Sequence, residues 1–195
     1  ESGGSLTDPD RTARRKTIDN LKKHLELAGK YGATVPIGFL RGRLGDRGWG
    51  DYQGILAESL RELEETAVAS GATIVLEPIN RYEVDTFFRV DESRDFLDEF
   101  ELADVKLLPD LFHMNIEERD PYEALRYGGD RVGHLHCSDT NRLAPGQGHY
   151  DYRKVLTVLR DIGYDGYLSV ESPPLPSPDE CARQGVAFLK ELLST

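Results

Sequence analysis

TIVLEPI at residues 73–79 is a short β-branched, apolar run that ends in a carboxylate. Alternate residues of a strand point to opposite faces, so an inward Glu77 sends Ile74 and Leu76 outward. Outward apolar residues are what a parallel sheet covered by helices requires. The stretch therefore predicts a buried strand that carries Glu77 at its carboxyl end.

The same kind of run recurs along the chain, each time followed by a polar loop and a stretch with apolar residues every three or four positions. This alternation predicts βα units and an α/β fold with a parallel sheet. The other predicted strands are 34–40 (TVPIGFL), 105–111 (VKLLPDL), 132–138 (VGHLHCS) and 166–172 (GYLSVES).

Helices fill most of the intervals between the predicted strands. The first is expected to begin at Asp8, with Pro9 at its first helical position, and to run to about Tyr31. The last is expected to begin with a capping box from Ser177 to Glu180. Three of these helices have a predicted inward apolar face. It consists of Ile18, Leu21, Leu25 and Ala28 in the first helix, Leu56, Leu60, Leu63 and Ala67 in the helix after the first strand, and Ala182, Val186, Leu189 and Leu193 in the last.

Strand parity brings four potential metal ligands to one edge of the sheet: Glu77, Asp110, His136 and Glu171. Each taken alone could cap a loop or form an ion pair, but four in register on successive strands indicate a shared site. Three buried carboxylates need a compensating charge, which a divalent cation supplies. Their oxygens and one imidazole favour Mn²⁺, Mg²⁺ or Co²⁺, while Zn²⁺ remains possible.

Charge and hydropathy limit the partners. The formal net charge is −11, from 35 acidic and 24 basic residues, which disfavours nucleic acids and anionic membranes. No apolar run approaches the roughly 20 residues of a membrane helix, and ESGGSLTDPD at the start lacks the features of a signal peptide. Cys137 and Cys181 form no CxxC pair, so we expect free thiols in a reducing compartment and a soluble, cytoplasmic protein.

The length and the absence of a linker predict one domain over residues 1–195. The single methionine is Met114, so Glu1 is not an ordinary translation start. We expect that a segment upstream of Glu1 is missing from this sequence.

Four segments carry a family resemblance: LEPINRYE, DLFHMNIEE, GHLHCSDTNRLAPGQGHYDY and LRDIGYDGYLSVE. As a set they resemble the xylose isomerase-like TIM-barrel superfamily, most closely its ketose 3-epimerases and related sugar isomerases. The resemblance covers nearly the whole chain and implies a (β/α)₈ barrel of the xylose isomerase-like type. Such a barrel has eight strands, of which about five are present, so the resemblance implies that the first three are absent. Either the chain is then a fragment, or another chain completes the barrel, as in a homo-oligomer.

The resemblance also implies roles for individual residues. Glu77, Asp110, His136 and Glu171 match metal ligands, and Glu77 and Glu171 also match an acid/base pair. The residues that match substrate contacts, or an acid that orients them, are His113, Arg142 and Glu83.

These roles predict a metal-dependent sugar isomerase or epimerase with a small-molecule sugar substrate. A metal that binds the substrate's carbonyl and a neighbouring hydroxyl would stabilise the enediolate formed when one carboxylate removes the adjacent proton. Return of that proton by the other carboxylate to the opposite face inverts the carbon, whereas transfer to the neighbouring carbon isomerises the sugar. The motifs leave the choice open.

Two other functions stay open from the sequence. An endonuclease IV-like phosphodiesterase would share the fold but is expected to need more metal-binding histidines than the five His present and a basic surface. The second open function is that of a non-catalytic barrel that binds a metal or a polyol. Among single residues, His113 could cap a helix, Arg142 could be a solvated cation, and Trp49 could be a lid aromatic or a packing residue. His134 is expected to support the site from below or to fill the core, rather than to bind metal.

Overall fold

The computed structural model describes residues 4–194, which form an α/β fold with parallel strands. The strands are β1 (Thr34–Ile37), β2 (Thr73–Leu76), β3 (Lys106–Leu107), β4 (Leu135–Cys137) and β5 (Leu168–Val170). β1, β2 and β3 pair in chain order, and β4 pairs with β5. Two parallel bridges, Leu107 with Val132 and Asp110 with His136, continue the order from β3 to β4.

The helices lie before, between and after these strands. They are α1 (Arg11–Gly29), α2 (Trp49–Ser70), α3 (Val90–Glu99), α4 (Leu111–Glu117), α5 (Pro121–Gly128), α6 (Tyr152–Asp161) and α7 (Pro178–Leu193). Short 3₁₀ turns cover Phe39–Arg41 and Gly129–Arg131. Apolar residues from the helices and the outward faces of the strands form one buried cluster, as the parity of the strands predicts.

All five strands lie where the sequence predicts them, but each ends earlier than expected. The difference is largest for β3, which ends at Leu107 because the chain turns into α4, with Asp110 as the N-cap residue of that helix. Glu77 and Glu171 each lie one residue beyond their strand. The site residues are thus held by strand ends without belonging to regular ladders, apart from His136.

The predicted start of the first helix is wrong by two residues. Asp10, not Asp8, is the N-cap residue, since its side chain accepts the N–H groups of Thr12 and Ala13. Asp8 instead accepts the N–H of Asp10, and α1 ends at Gly29 rather than near Tyr31.

The predicted inward face of the last helix is also partly wrong. Ser177 caps α7 as expected, but Ala182, Val186 and Leu193 are exposed. Gly185 faces β5 instead, because a Cβ there would lie 2.9 Å from the Cγ2 of Val170. Only a glycine permits such a close approach of helix to strand.

The five strands do not close into a barrel within residues 4–194. β1 and β5 each pair on one side there. A groove of about 770 Å³ runs along β5, α6 and α7 and is lined by Leu168, Val170, Val186 and Leu193, among other residues. Beside β1, a shallower apolar surface includes Leu27, Tyr31 and Val35. Edge strands with apolar surroundings are the features of an incomplete barrel.

Within residues 4–194, no helix combines the length and apolar character needed to cross a membrane. Both cysteines are buried free thiols, as predicted. Burial raises the pKa of Cys137 to about 12, so its thiol is unreactive at neutral pH.

Candidate metal centre and substrate-contact residues

The four predicted ligands meet at the carboxyl edge of the strands. One ligand atom from each of Glu77, Asp110, His136 and Glu171 lies within 4.8 Å of the other three. The Nδ1 atom of His136 is 3.2 Å from Glu171 Oε2 and 3.6 Å from both Glu77 Oε1 and Asp110 Oδ2. Ligands with bonds of about 2.1 Å around one ion are separated by about 3 to 3.5 Å along a coordination edge. The three distances from His136 lie within or just beyond that range.

Glu77 is held from three directions. Its N–H donates to Ile37 O at 3.2 Å, which extends the β1–β2 pairing by one residue. Its carbonyl accepts a 2.7 Å hydrogen bond from the guanidinium of Arg41, which is fully buried. Gly38 lies against its carboxylate, because a Cβ on Gly38 would be 2.9 Å from Glu77 Oε2. The glycine therefore leaves the space that the carboxylate occupies.

The two oxygens of Asp110 have different surroundings. Oδ1 accepts the N–H of Phe112 at 2.7 Å and so caps α4. Oδ2 is buried and has no hydrogen-bond partner among residues 4–194. The chain passes from β3 into α4 at this residue, and the bridge to His136 fixes the side chain beside the imidazole.

Glu171 is the most accessible of the four ligands, with 46% of its side chain exposed. Its carbonyl accepts a hydrogen bond from the Ser138 hydroxyl, and its carboxylate is 4.0 Å from Arg142 Nη2. β5 is the last paired strand in the described part of the chain, and the Glu171 side chain beyond it remains open to solvent.

The charges of the cluster shift the protonation of its members. Burial alone would lower the pKa of His136, but the carboxylates of Asp110, Glu171 and Glu77 outweigh it and raise that pKa to about 11. The neighbouring His136 lowers the pKa of Glu171 to about 2, against the effect of burial. Burial raises the pKa of Asp110, and His136 offsets part of that rise. Without an ion, a proton on His136 is thus the cation that balances the carboxylates.

The donor set fits a divalent ion. His136 Nδ1 and Asp110 Oδ2 are both buried, and neither has a hydrogen-bond partner in the described part of the chain. Buried polar atoms are nearly always satisfied, so two unpaired atoms side by side need an explanation. An ion bound between them, with Glu77 and Glu171 completing the set, would satisfy both atoms and replace the proton on His136.

The three predicted substrate-contact residues lie beside this cluster. Glu83 Oε1 accepts from Arg142 Nη1 at 3.2 Å, and the Arg142 guanidinium lies over the Phe112 ring at 4.6 Å. Arg142 is therefore ordered by an ion pair and a ring, and is not a freely solvated cation. His113 is 3% exposed inside α4 and bonds to Asn80, whereas Asp110 caps the helix. The alternative in which His113 caps the helix is thus excluded.

The loop that carries Arg142 is organised by Asp139, which the sequence analysis did not single out. Asp139 is fully buried, and its carboxylate accepts the N–H groups of Thr140, Gly146 and Tyr150 at 2.8, 2.9 and 3.1 Å. The turn places Arg142 at a positive φ of 63°, a conformation uncommon for residues with a side chain. The signal was available, since an Asp before a loop rich in Gly and Pro is typical of turns stabilised by a side chain.

Arg41 and Asn80 were also missed. Arg41 ends a 3₁₀ turn and Asn80 lies in a loop, and both bond to residues more than 30 positions away in sequence, such as Glu77 for Arg41 and His113 for Asn80. No local periodicity predicts such contacts. Asn80 does lie inside LEPINRYE, one of the segments that carried the resemblance.

His134 and Trp49, the remaining candidates from the sequence, both have partners that explain their positions. His134 Nε2 bonds to Ser169 Oγ at 2.7 Å, and its pKa is lowered by burial and then by His136, so it stays neutral beneath the cluster. This position agrees with the predicted supporting role. Trp49 packs its ring against Tyr52 and Phe87, with centroids 5.8 and 5.3 Å apart, which favours the packing alternative.

Known proteins are similar to this chain in sequence and in fold. A family model described as a xylose isomerase-like TIM barrel matches residues 2–192. A D-psicose 3-epimerase from Enterocloster bolteae is 42% identical over 124 residues, which are 62% of this chain and 41% of that protein. A 3-dehydro-D-guloside 4-epimerase from Escherichia coli is 30% identical over 194 residues, which are 96% of this chain and 74% of that protein.

A solved structure agrees with these matches. The D-psicose 3-epimerase of Clostridium cellulolyticum H10, determined with D-tagatose, superposes with a TM-score of 0.88 at 25% identity. The match covers 100% of this chain and 75% of that one, so a quarter of the neighbour's chain has no counterpart here. From the sequence match, the four strand-end ligands and the superposition together, the chain belongs to the xylose isomerase-like TIM-barrel family.

Proposed function

We propose that this protein is a divalent-metal-dependent sugar epimerase that inverts the carbon next to the ketone of a ketose or related keto sugar. The observation that carries the proposal is the cluster of Glu77, Asp110, His136 and Glu171, in which two buried side-chain atoms lack a hydrogen-bond partner among residues 4–194. Mn²⁺, Mg²⁺ and Co²⁺ are the ions that this donor set favours.

The names of the relatives support epimerisation over isomerisation. Psicose is a ketose whose third carbon is adjacent to its ketone, and the guloside is oxidised at the carbon beside the one that is inverted. In both names the inverted carbon adjoins a ketone carbon. Such a carbon carries an acidic proton, which one carboxylate can remove and another can return.

The two glutamates are suited to these proton transfers. A bound ion would polarise the substrate ketone and lower the cost of negative charge on its oxygen. Glu77 follows the second strand and Glu171 the fifth, so they reach the cluster from two sides. Each can offer one oxygen to the ion and retain a second for the proton. Removal by one and return by the other inverts the carbon.

Two further residues are proposed to hold the substrate oxygens, and Glu83 is proposed to orient one of them. The Arg142 guanidinium, fixed by Glu83 and by the ring of Phe112, supplies charged donors near Glu171. His113 supplies an imidazole from α4. Fixed donors of this kind orient the ketone and stabilise the negative charge that develops on it.

We further propose that the pocket needs a wall outside residues 4–194. The support is the open side next to β5, where Glu171 is half exposed and apolar residues of α6 and α7 line a groove. Either more of the same polypeptide or a second copy of the chain would cover this side. Intact mass and size-exclusion chromatography distinguish the two, and a stable monomer of 21.9 kDa would oppose both.

Activity is best tested with protein stripped of metal and then supplied with Mn²⁺. Ketohexoses such as D-psicose and D-tagatose, together with a 3-keto glycoside, are incubated in D₂O. We expect inversion that depends on metal, with deuterium incorporated at the inverted carbon.

The variant Glu171→Gln tests the acid/base role, since the amide cannot exchange a proton. We expect turnover to fall about 100-fold or more while the unfolding midpoint changes little. The matched control is Glu123→Gln on the surface of α5, where the side chain is 71% exposed. A Glu171→Gln protein with full activity would refute the role.

The same assays separate the alternatives left open by the sequence. Mn²⁺ binding without turnover of any keto sugar would favour a non-catalytic binding protein. Cleavage of DNA at abasic sites would favour the phosphodiesterase, although the single imidazole in the cluster and the net charge of −11 give it no support.

A further inference from the structure

Asn80 is buried at the centre of a hydrogen-bond chain that joins the proposed substrate-contact residues. Its side chain is 1% exposed, and its amide nitrogen lies 2.9 Å from Glu83 Oε1 and 2.7 Å from His113 Nδ1. Glu83 Oε1 in turn accepts from Arg142. One amide thus contacts two of the three residues directly and the third through Glu83.

The orientation of the Asn80 amide follows from a backbone group. The N–H of Tyr82 lies 3.0 Å from the other side-chain atom of Asn80 and can only donate. That atom must therefore be the amide oxygen, which leaves the NH₂ group toward Glu83 and His113. A flipped amide would place its oxygen against the Glu83 carboxylate and would lose the bond from Tyr82.

The protonation state of His113 follows in the same way. The NH₂ group has two hydrogens, and Glu83 takes one of them. The other points at His113 Nδ1, which must then accept and cannot carry a proton. A neutral imidazole with an unprotonated Nδ1 carries its hydrogen on Nε2. Within residues 4–194, the hydrogen bond to Asn80 is made by Nδ1, and Nε2 makes none, which leaves its N–H free to meet a ligand.

We propose that Asn80 is a positioning residue that fixes His113 as the Nε2–H tautomer, so that His113 donates a hydrogen bond to a substrate oxygen. The hydrogen bond to a substrate oxygen rests on the proposed function, whereas the assignment of the tautomer does not. A donor at this place suits a ketone oxygen that gains negative charge during proton removal. It also means that His113 does not act as a base, which leaves that role to Glu77 and Glu171.

The tautomer can be measured without any activity. Long-range ¹H–¹⁵N NMR correlation of the Mg²⁺-supplied protein distinguishes a protonated from an unprotonated ring nitrogen. The signals of His113 are assigned by their loss in His113→Gln. We expect a protonated Nε2 and an unprotonated Nδ1. The opposite pattern in the unmodified protein would overturn the proposal, even if Asn80→Asp does not fold.

The variant Asn80→Asp changes the group that faces His113 while keeping its shape. One carboxylate oxygen can still accept from Tyr82, but the other now faces both the Glu83 carboxylate and Nδ1, where only the imidazole can supply a hydrogen. We expect the hydrogen to move to Nδ1. The exposed Asn20→Asp adds the same charge on α1 and is expected to leave the His113 signals unchanged. A folded Asn80→Asp protein that keeps the Nε2–H tautomer would contradict the positioning role.

Kinetics then test the link to the proposed reaction. Loss of the oriented donor in Asn80→Asp is expected to lower kcat/KM about 10- to 100-fold, with most of the loss in kcat if the bond strengthens as charge develops. Unchanged kinetics with a switched tautomer would overturn the substrate-donor step alone. An unmodified protein that lacks epimerase activity but has the expected tautomer would refute the proposed function and leave the positioning role standing.

Discussion

Metal binding should release a proton from His136, and this release can be measured. In the absence of an ion, the carboxylates around His136 hold its pKa at about 11 despite burial. A ligand imidazole must be neutral at the coordinating nitrogen, so the ion competes with that proton. The affinity for Mn²⁺ should therefore rise about tenfold for each pH unit between about pH 7 and 9. A histidine with an ordinary pKa of about 6.5 would give almost no change over that interval.

Isothermal titration calorimetry in two buffers with different protonation enthalpies counts the protons released. We expect about one proton or more per Mn²⁺ bound, from His136 and, where it is protonated, Asp110. His136→Gln should bind more weakly and lose most of the pH dependence, whereas His134→Gln, beneath the cluster, should keep it. An affinity that is independent of pH in the unmodified protein would refute the reasoning.

Two further predictions concern neighbours of the site. Gly38→Ala should weaken Mn²⁺ binding about tenfold or more, because the added Cβ would lie 2.9 Å from Glu77 Oε2. The control Gly50→Ala has open space around its Cβ and should bind Mn²⁺ like the unmodified protein. Equal Mn²⁺ affinities of both variants in calorimetry would show that the space beside Glu77 is not needed. Burial raises the pKa of Glu118 to about 6, although the hydrogen bond from the Val90 N–H acts in the opposite direction. The folded state therefore holds the proton of the Glu118 carboxyl group more tightly than the unfolded state does. The free energy of unfolding accordingly falls as the pH rises through about 6. Glu118→Gln keeps an acceptor for that N–H and should be more stable by about 1 kcal/mol at pH 8, after allowance for solvent screening, with no difference at pH 4. Urea unfolding at both pH values measures this, and a less stable variant at pH 8 would show that the carboxylate charge is favourable.

The convergence of the four candidate ligands could be predicted from the sequence because it depends on local rules. Parity within each strand assigns a side chain to a face, and parallel strands bring their carboxyl ends to one edge. These two rules placed Glu77, Asp110, His136 and Glu171 together without knowledge of any long-range distance. Their convergence within 4.8 Å agrees with that prediction.

The contacts that support the ligands could not be predicted in this way. Arg41 reaches Glu77 across 36 residues, and Asn80 reaches His113 across 33. Such pairs depend on loop conformations, which no periodic pattern encodes. The same limit applies to the inner face of α7, where Gly185 decided the packing through an absent side chain.

The most direct test of the account is anomalous diffraction from crystals of the protein soaked in Mn²⁺. We expect one strong peak about 2.0 to 2.4 Å from Glu77, Asp110, His136 and Glu171 together. The absence of a peak between these residues at saturating Mn²⁺, or a peak bound by other side chains, would contradict it.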